Sequence, residues 1–77
     1  MLAVNGLKIV LPIALRFAEA HRGSGLTLQD FIQAGAIGAI QSATNFNPTK
    51  YKGKFNIFAT PRIKGAMWDE LREFGVG

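Results

Sequence analysis

Val10, Ile13, Ala14 and Phe17 recur at i, i+3, i+4 and i+7, the spacing that gathers apolar side chains on one face of an α-helix. Every apolar block of the chain repeats at this helical period, and none alternates at the two-residue period of a strand. That periodicity restricts the fold to all-α. It predicts one compact domain, 1–77, of three to four helices.

The first block runs from about Leu7 to His21. Pro12 lies inside it, and a proline within a helix deletes a hydrogen bond and clashes with the turn before it. At the first helical position it is well tolerated. The spacing therefore predicts a helix starting at Leu11 or Pro12, with Asn5 to Val10 as a shorter preceding turn or helix. Arg22, Gly23, Ser24 and Gly25 read as its stop and loop. The second block runs from about Thr27 to Asn45, where Thr27 and Asp30 form a capping-box-like start. Leu28, Ile32, Gly35, Ala39, Ala43 and Phe46 step along one stripe, and Gly35 and Gly38 suggest close approach of another backbone. Phe46-Asn47-Pro48 ends the block, and residues 47–54 form a lysine-bearing loop.

The third block runs from about Asn56 to Glu73. Asn56 could cap it, or Thr60 with Pro61 at the first helical position, or it could start at Asn56 and kink near Pro61. Ile57, Phe58, Ile63, Ala66, Met67 and Leu71 supply its apolar side. Asp69, Glu70, Arg72 and Glu73 are the solvated face, and a flexible tail is expected over 73–77, ending in Gly75-Val76-Gly77.

Several function classes are disfavoured. With 77 residues and no cysteine, neither a disulfide framework nor a thiolate metal site is available, which fits a reducing cytoplasm. The most apolar stretch, Leu7 to Ala20, is interrupted by Lys8, Pro12, Arg16 and Glu19, so no membrane partner is expected. His21 is the sole histidine and reads as a capping or surface residue. Asp69 and Glu70 are adjacent, so their side chains diverge on a helix. No phosphate loop, metal-ligand spacing or nucleophile elbow is present, and neither an enzyme nor a cofactor is expected.

The distribution of charge says more than its total of +4. No acidic residue occurs between Asp30 and Asp69, whereas Lys50, Lys52, Lys54, Arg62 and Lys64 all do. Such a window is the electrostatic footprint of a polyanion partner, or otherwise a solvated basic surface. Phe46, Tyr51, Phe55, Phe58 and Trp68 are threaded through or beside it. Exposed rings stack unpaired bases for about 1–3 kcal/mol each while cations follow the phosphates. In so small a domain some rings must also fill the core, and Phe46 and Trp68 are expected inside.

Three strings carry a family resemblance. Asp30-Phe31-Ile32-Gln33-Ala34-Gly35-Ala36-Ile37-Gly38 resembles the Asp-Leu-Ile-Gln-Glu/Ala-Gly-x-Ile-Gly signature of bacterial sigma factor region 2. Phe46-Asn47-Pro48 and Gly53-Lys54-Phe55-Asn56-Ile57-Phe58-Ala59 are similar to the family's Phe-Asp-Pro and Gly-x-x-Phe-Ser-Thr-Tyr-Ala. Residues 62–72, from Arg62-Ile63-Lys64-Gly65-Ala66 to Leu71-Arg72, resemble a string typical of flagellar and sporulation-type alternative sigma factors. The strings occur in order and near family spacing, and the resemblance covers about 11–72.

The resemblance implies a transcription initiation domain that binds core RNA polymerase and recognises and melts the minus-ten promoter element. It implies that Asp30, Gln33 and Ile40 contact a coiled coil of the largest polymerase subunit. It implies that Lys54, Phe55, Phe58, Arg62 and Lys64 meet promoter DNA, chiefly the non-template single strand. Phe58 aligns with the family tyrosine that stacks on the flipped-out adenine and keeps its π-face. Ala34 and Ala36 depart from the Glu and Asn contacts of primary sigma factors, and Pro61-Arg62 replaces their tryptophan pair. Upstream promoter recognition is expected from a separate polypeptide, unless the chain is a piece of a longer sigma factor. The alternatives are a sigma-like decoy that binds polymerase or another partner without opening DNA, and a basic helical domain that has lost its contacts.

Overall fold

A computed structural model describes residues 2–74, with side chains from Asn5 onward. Among these residues there are three helices and no strand: α1 (Leu2–Ala20), α2 (Leu28–Asn45) and α3 (Phe55–Glu73). The all-α expectation holds, at the lower end of the helix count.

The start of α1 differs from expectation. The helix runs from Leu2 straight through Pro12, so residues 5–10 belong to it rather than to a separate turn. Proline removes the donor that would pair with the Lys8 carbonyl. Lys8 and Pro12 are both exposed, so water can take the missing donor's place. The same device recurs in α3, which starts at Phe55 rather than Asn56 or Thr60 and carries Pro61 internally. Its deprived carbonyl belongs to Ile57, and Ile57 and Pro61 are again exposed.

The start of α2 matches the sequence. The Thr27 hydroxyl accepts from the Asp30 N–H at 3.2 Å, and the Asp30 carboxylate accepts from the Thr27 N–H at 2.8 Å. This reciprocal capping box satisfies two orphan donors of the first turn.

The buried set of α2 is Phe31, Ala34, Gly35, Gly38, Ala39 and Ser42, which is broader than the expected stripe. The reason is position: α1 and α3 meet each other far less than each meets α2. A helix flanked on two sides buries a wide arc, here about 140° at about 100° per residue. Small residues permit the close packing. A Cβ on Gly38 would stand 3.1 Å from the Ile63 Cα, and one on Gly6 would stand 2.8 Å from the Ala39 Cβ.

The core joins Val10, Ile13, Ala14 and Phe17 of α1 to Phe31 and Ala39 of α2 and to Ala59, Ile63, Met67 and Leu71 of α3. Residues 73 and 74 belong to the end of α3 rather than to a tail. Glu73 is still helical, and Phe74 caps α3 by donating its N–H to the Glu70 carbonyl at 3.1 Å. Gly75, Val76 and Gly77 lie outside the described residues. None of the described helices is long and apolar enough to cross a membrane.

Candidate nucleic-acid interface

The loop between α2 and α3 is held by its own polar groups. The Asn47 side-chain oxygen accepts from the Thr49 and Lys50 N–H groups at 3.0 and 3.1 Å, the turn geometry that asparagine favours. The Tyr51 N–H donates to the Asn47 carbonyl at 3.1 Å, and the Gly53 N–H donates to the Pro48 carbonyl at 2.9 Å. Lys52 and Gly53 both take positive φ, 52° and 73°, and reverse the chain into α3.

This closed loop brings Tyr51 over the first turn of α3. Its ring centroid lies 4.8 Å from that of Phe58. Phe46, at the end of α2, lies 5.4 Å from Phe58 and 5.3 Å from Phe55. The four rings form one cluster, and cations sit on it. The Arg62 guanidinium carbon is 3.7 Å from the Phe58 centroid, and the Lys50 ammonium is 5.6 Å from the Tyr51 centroid. Arg62 also donates to the Phe58 carbonyl at 2.6 Å. Lys54, the residue before α3, and Lys64, six residues beyond Phe58 and about 120° round the helix from it, are also exposed.

A second surface lies on α2. Opposite its buried arc, Gln33, Ile37, Ile40 and Gln41 are exposed, with Asp30 at the N-terminal end of the same stripe. Ile37 and Ile40 are 58% and 55% exposed, large apolar side chains left in water beside Gln33 and Gln41. Contiguous exposed apolar side chains rimmed by polar ones are characteristic of protein contact sites.

Against this geometry, residues 8–74 match the family model described as Sigma-70 region 2. The chain belongs to the Sigma-70 region 2 family. No curated protein and no solved structure matches it. The region 2 match spans both surfaces: most of α1, all of α2, the loop and all of α3. The family's role is in transcription initiation, in binding RNA polymerase and recognising promoters.

The region 2 fold distributes the expected contact residues unevenly. Lys54, Arg62 and Lys64 are exposed, but Phe55 and Phe58 are only 5% and 4% exposed. Both rings are enclosed by their cluster, so neither presents an open face. Trp68, expected in the core, is 46% exposed. It packs on Phe17 and His21 at 5.1 and 5.2 Å, apart from the other rings. Ten residues along α3 separate it from Phe58, about 15 Å at about 1.5 Å per residue. His21 is therefore an aromatic packing partner. Among the described residues no group of His, Cys, Asp or Glu could hold a metal.

On α2, Gln33 and Ile40 are open, while the Asp30 carboxylate is engaged with Thr27. Ala34 is 7% exposed and packs with the buried arc of α2. Two exposed residues are missed by reasoning from sequence. Ile37 lies on the Gln33 stripe, and its offset from the buried positions is a usable signal. Ile57, expected on the apolar side of α3, is 63% exposed. Period alone does not reveal which of two adjacent apolar residues, Ile57 or Phe58, turns inward.

Proposed function

We propose that this region 2 domain docks on core RNA polymerase through the open arc of α2 and holds the melted minus-ten element at the start of α3. Asp30, Gln33 and Ile40 meet a coiled coil of the largest subunit, with Ile37 completing that surface. Lys54, Arg62 and Lys64 follow the backbone of the non-template strand. Phe58 receives the flipped base, with Phe55 behind it. Flipping costs a few kcal/mol, and ring stacking at about 1–3 kcal/mol per base offsets much of it. The string over 62–72 favours an alternative sigma factor of the flagellar or sporulation type. A separate polypeptide, or a further part of a longer chain, supplies upstream recognition, and the site of action is the cytoplasm.

The observation that supports this reading most is the four-ring cluster with Lys50 and Arg62 set against it. It lies in a segment with no acidic residue from Phe31 to Trp68. A second reading, a decoy that binds polymerase without opening DNA, draws support from the burial of Phe55 and Phe58.

Capture by immobilised core polymerase, followed by binding of a fluorescent single-stranded minus-ten oligonucleotide, separates the two. Retention with oligonucleotide binding is the expected result. Retention without it favours the decoy, and no retention rejects both.

A further inference from the structure

We infer that Arg62 is a lid on Phe58: in the free domain its guanidinium occupies the ring face that an unpaired base would take, and strand capture displaces it. This rests on the proposed role of Phe58 as the base-receiving ring.

The geometry is that of a filled stacking site. The guanidinium carbon stands 3.7 Å from the ring centroid, over the face of the ring. Tyr51 and Phe46 pack against the same ring in T-shaped geometry at 4.8 and 5.4 Å. With the three in place Phe58 is 4% exposed, whereas Arg62 itself is exposed. The covering group is thus the one movable member of the enclosure, since Phe46 belongs to the end of α2 and Tyr51 to the hydrogen-bonded loop.

Local chemistry explains why Arg62 folds back. Phe58 and Arg62 are four residues apart, so their side chains share a helix face. Among the described residues the ion pairs are Arg22 with Glu19 and Arg72 with Asp69, and no carboxylate pairs with Arg62. The partners within reach are the Phe58 carbonyl, at 2.6 Å, and the ring. A guanidinium suits both, being planar, weakly hydrated and able to stack on an aromatic face while donating in its own plane. Lys50, a compact and strongly hydrated cation, stands farther off, at 5.6 Å from Tyr51.

A base and a guanidinium compete for one π-face because both stack as flat plates. Once displaced, Arg62 keeps its charge and regains donors for a phosphate of the incoming strand. The side chain therefore has two positions, ring-bound in the free domain and phosphate-bound in the complex. Arg62 is a positioning residue that sets how readily the ring is uncovered.

Two measurements test this. In the free chain, NMR should show the Arg62 Nε–H and δ-methylene protons shifted upfield by the Phe58 ring current, with the shift lost in Phe58→Leu. Absence of the shift overturns the lid and leaves the proposed function standing. The second measurement is quenching of an A/T-rich single-stranded oligonucleotide carrying one 2-aminopurine. Arg62→Lys keeps the charge but gives up the flat stacking group. It should bind the probe about two- to fivefold more tightly than the unsubstituted chain, the scale of an exposed cation–π contact. Equal or weaker binding by Arg62→Lys, with quenching retained, marks Arg62 as a phosphate contact only and overturns the lid alone. No quenching by either form, even at saturating protein, overturns both the lid and the base-stacking role of Phe58.

Discussion

A Cβ added to Gly38 would fall 3.1 Å from the Cα of Ile63 and 3.2 Å from the Arg62 carbonyl oxygen, so α2 and α3 meet backbone to backbone at this crossing. Alanine there must push back the helix that carries the cation-capped ring. Overpacking of this kind costs about 1–3 kcal/mol, against a helix-propensity gain of up to about 1 kcal/mol. Gly38→Ala should therefore destabilise the domain by about 1 kcal/mol. Gly65 has nothing within 4 Å of its added Cβ, and Gly65→Ala should stabilise by about 0.5–1 kcal/mol. Thermal melts read both, at about 4–8 °C per kcal/mol for a domain of this size. A rise in melting temperature for Gly38→Ala would show that the helices can separate without loss.

Thr27 and Gln33 separate stability from partner binding on α2. Removing the capping hydroxyl in Thr27→Ala should cost about 0.5–2 kcal/mol and leave polymerase retention unchanged at a temperature where the domain stays folded. Gln33→Ala and Ile40→Ala alter exposed side chains and should shift stability by no more than about 0.5 kcal/mol. Both should weaken retention on immobilised core polymerase. Asp30→Ala should do both, because the same carboxylate closes the capping box. Full retention in Gln33→Ala together with Ile40→Ala would remove α2 from the polymerase contact.

Lys54 and Lys64 are exposed and, if they follow phosphates, each releases counterions on binding. Lys54→Ala and Lys64→Ala should each reduce the slope of log affinity against log salt by about 0.7 for a single strand. Oligonucleotide titrations over a range of salt concentrations measure it. An unchanged slope for either variant removes that lysine from the strand path.

Phe58 has to be tested with a substitution that keeps the core filled. Phe58→Ala removes a ring that is 4% exposed, and such truncations cost about 3–5 kcal/mol. That is much of the total for a domain of this length, about 4–12 kcal/mol at about 0.05–0.15 kcal/mol per residue. Loss of promoter opening in that variant would therefore report unfolding. Phe58→Leu retains apolar bulk without a π-face. It should show a cooperative melt and retention on polymerase, with promoter opening lost. Opening at the unsubstituted level in Phe58→Leu would show that the ring does not hold the base.

Much of this architecture is legible in the amino-acid sequence. Helical periodicity locates the three apolar blocks, and Thr27 with Asp30 marks the start of α2 because a capping box is a purely local device. The start of α1 is misplaced, and that of α3 is left open between Asn56 and Thr60, for a shared reason. Proline's penalty depends on whether its deprived carbonyl can reach water, and that is decided by which face of the helix the tertiary fold covers. The wide burial of α2 likewise follows from its neighbours and not from its own period. In the candidate interface, residue types and charge distribution are readable, whereas ring exposure is not. Phe58 and Arg62 stand at i and i+4, so their proximity is implicit. Only the packing of Phe46 and Tyr51 around them shows that the ring is enclosed.

The central position of α2 also bears on how quickly the domain forms. Each outer helix packs chiefly on its immediate neighbour in sequence, across the connecting segments 21–27 and 46–54. Loops of such length close in about 10–100 ns, and chains dominated by near-neighbour contacts fold in microseconds to milliseconds, about the fastest class of small proteins. No distant pairing has to be found first, so the domain can be rebuilt from its unfolded state almost as soon as its helices meet.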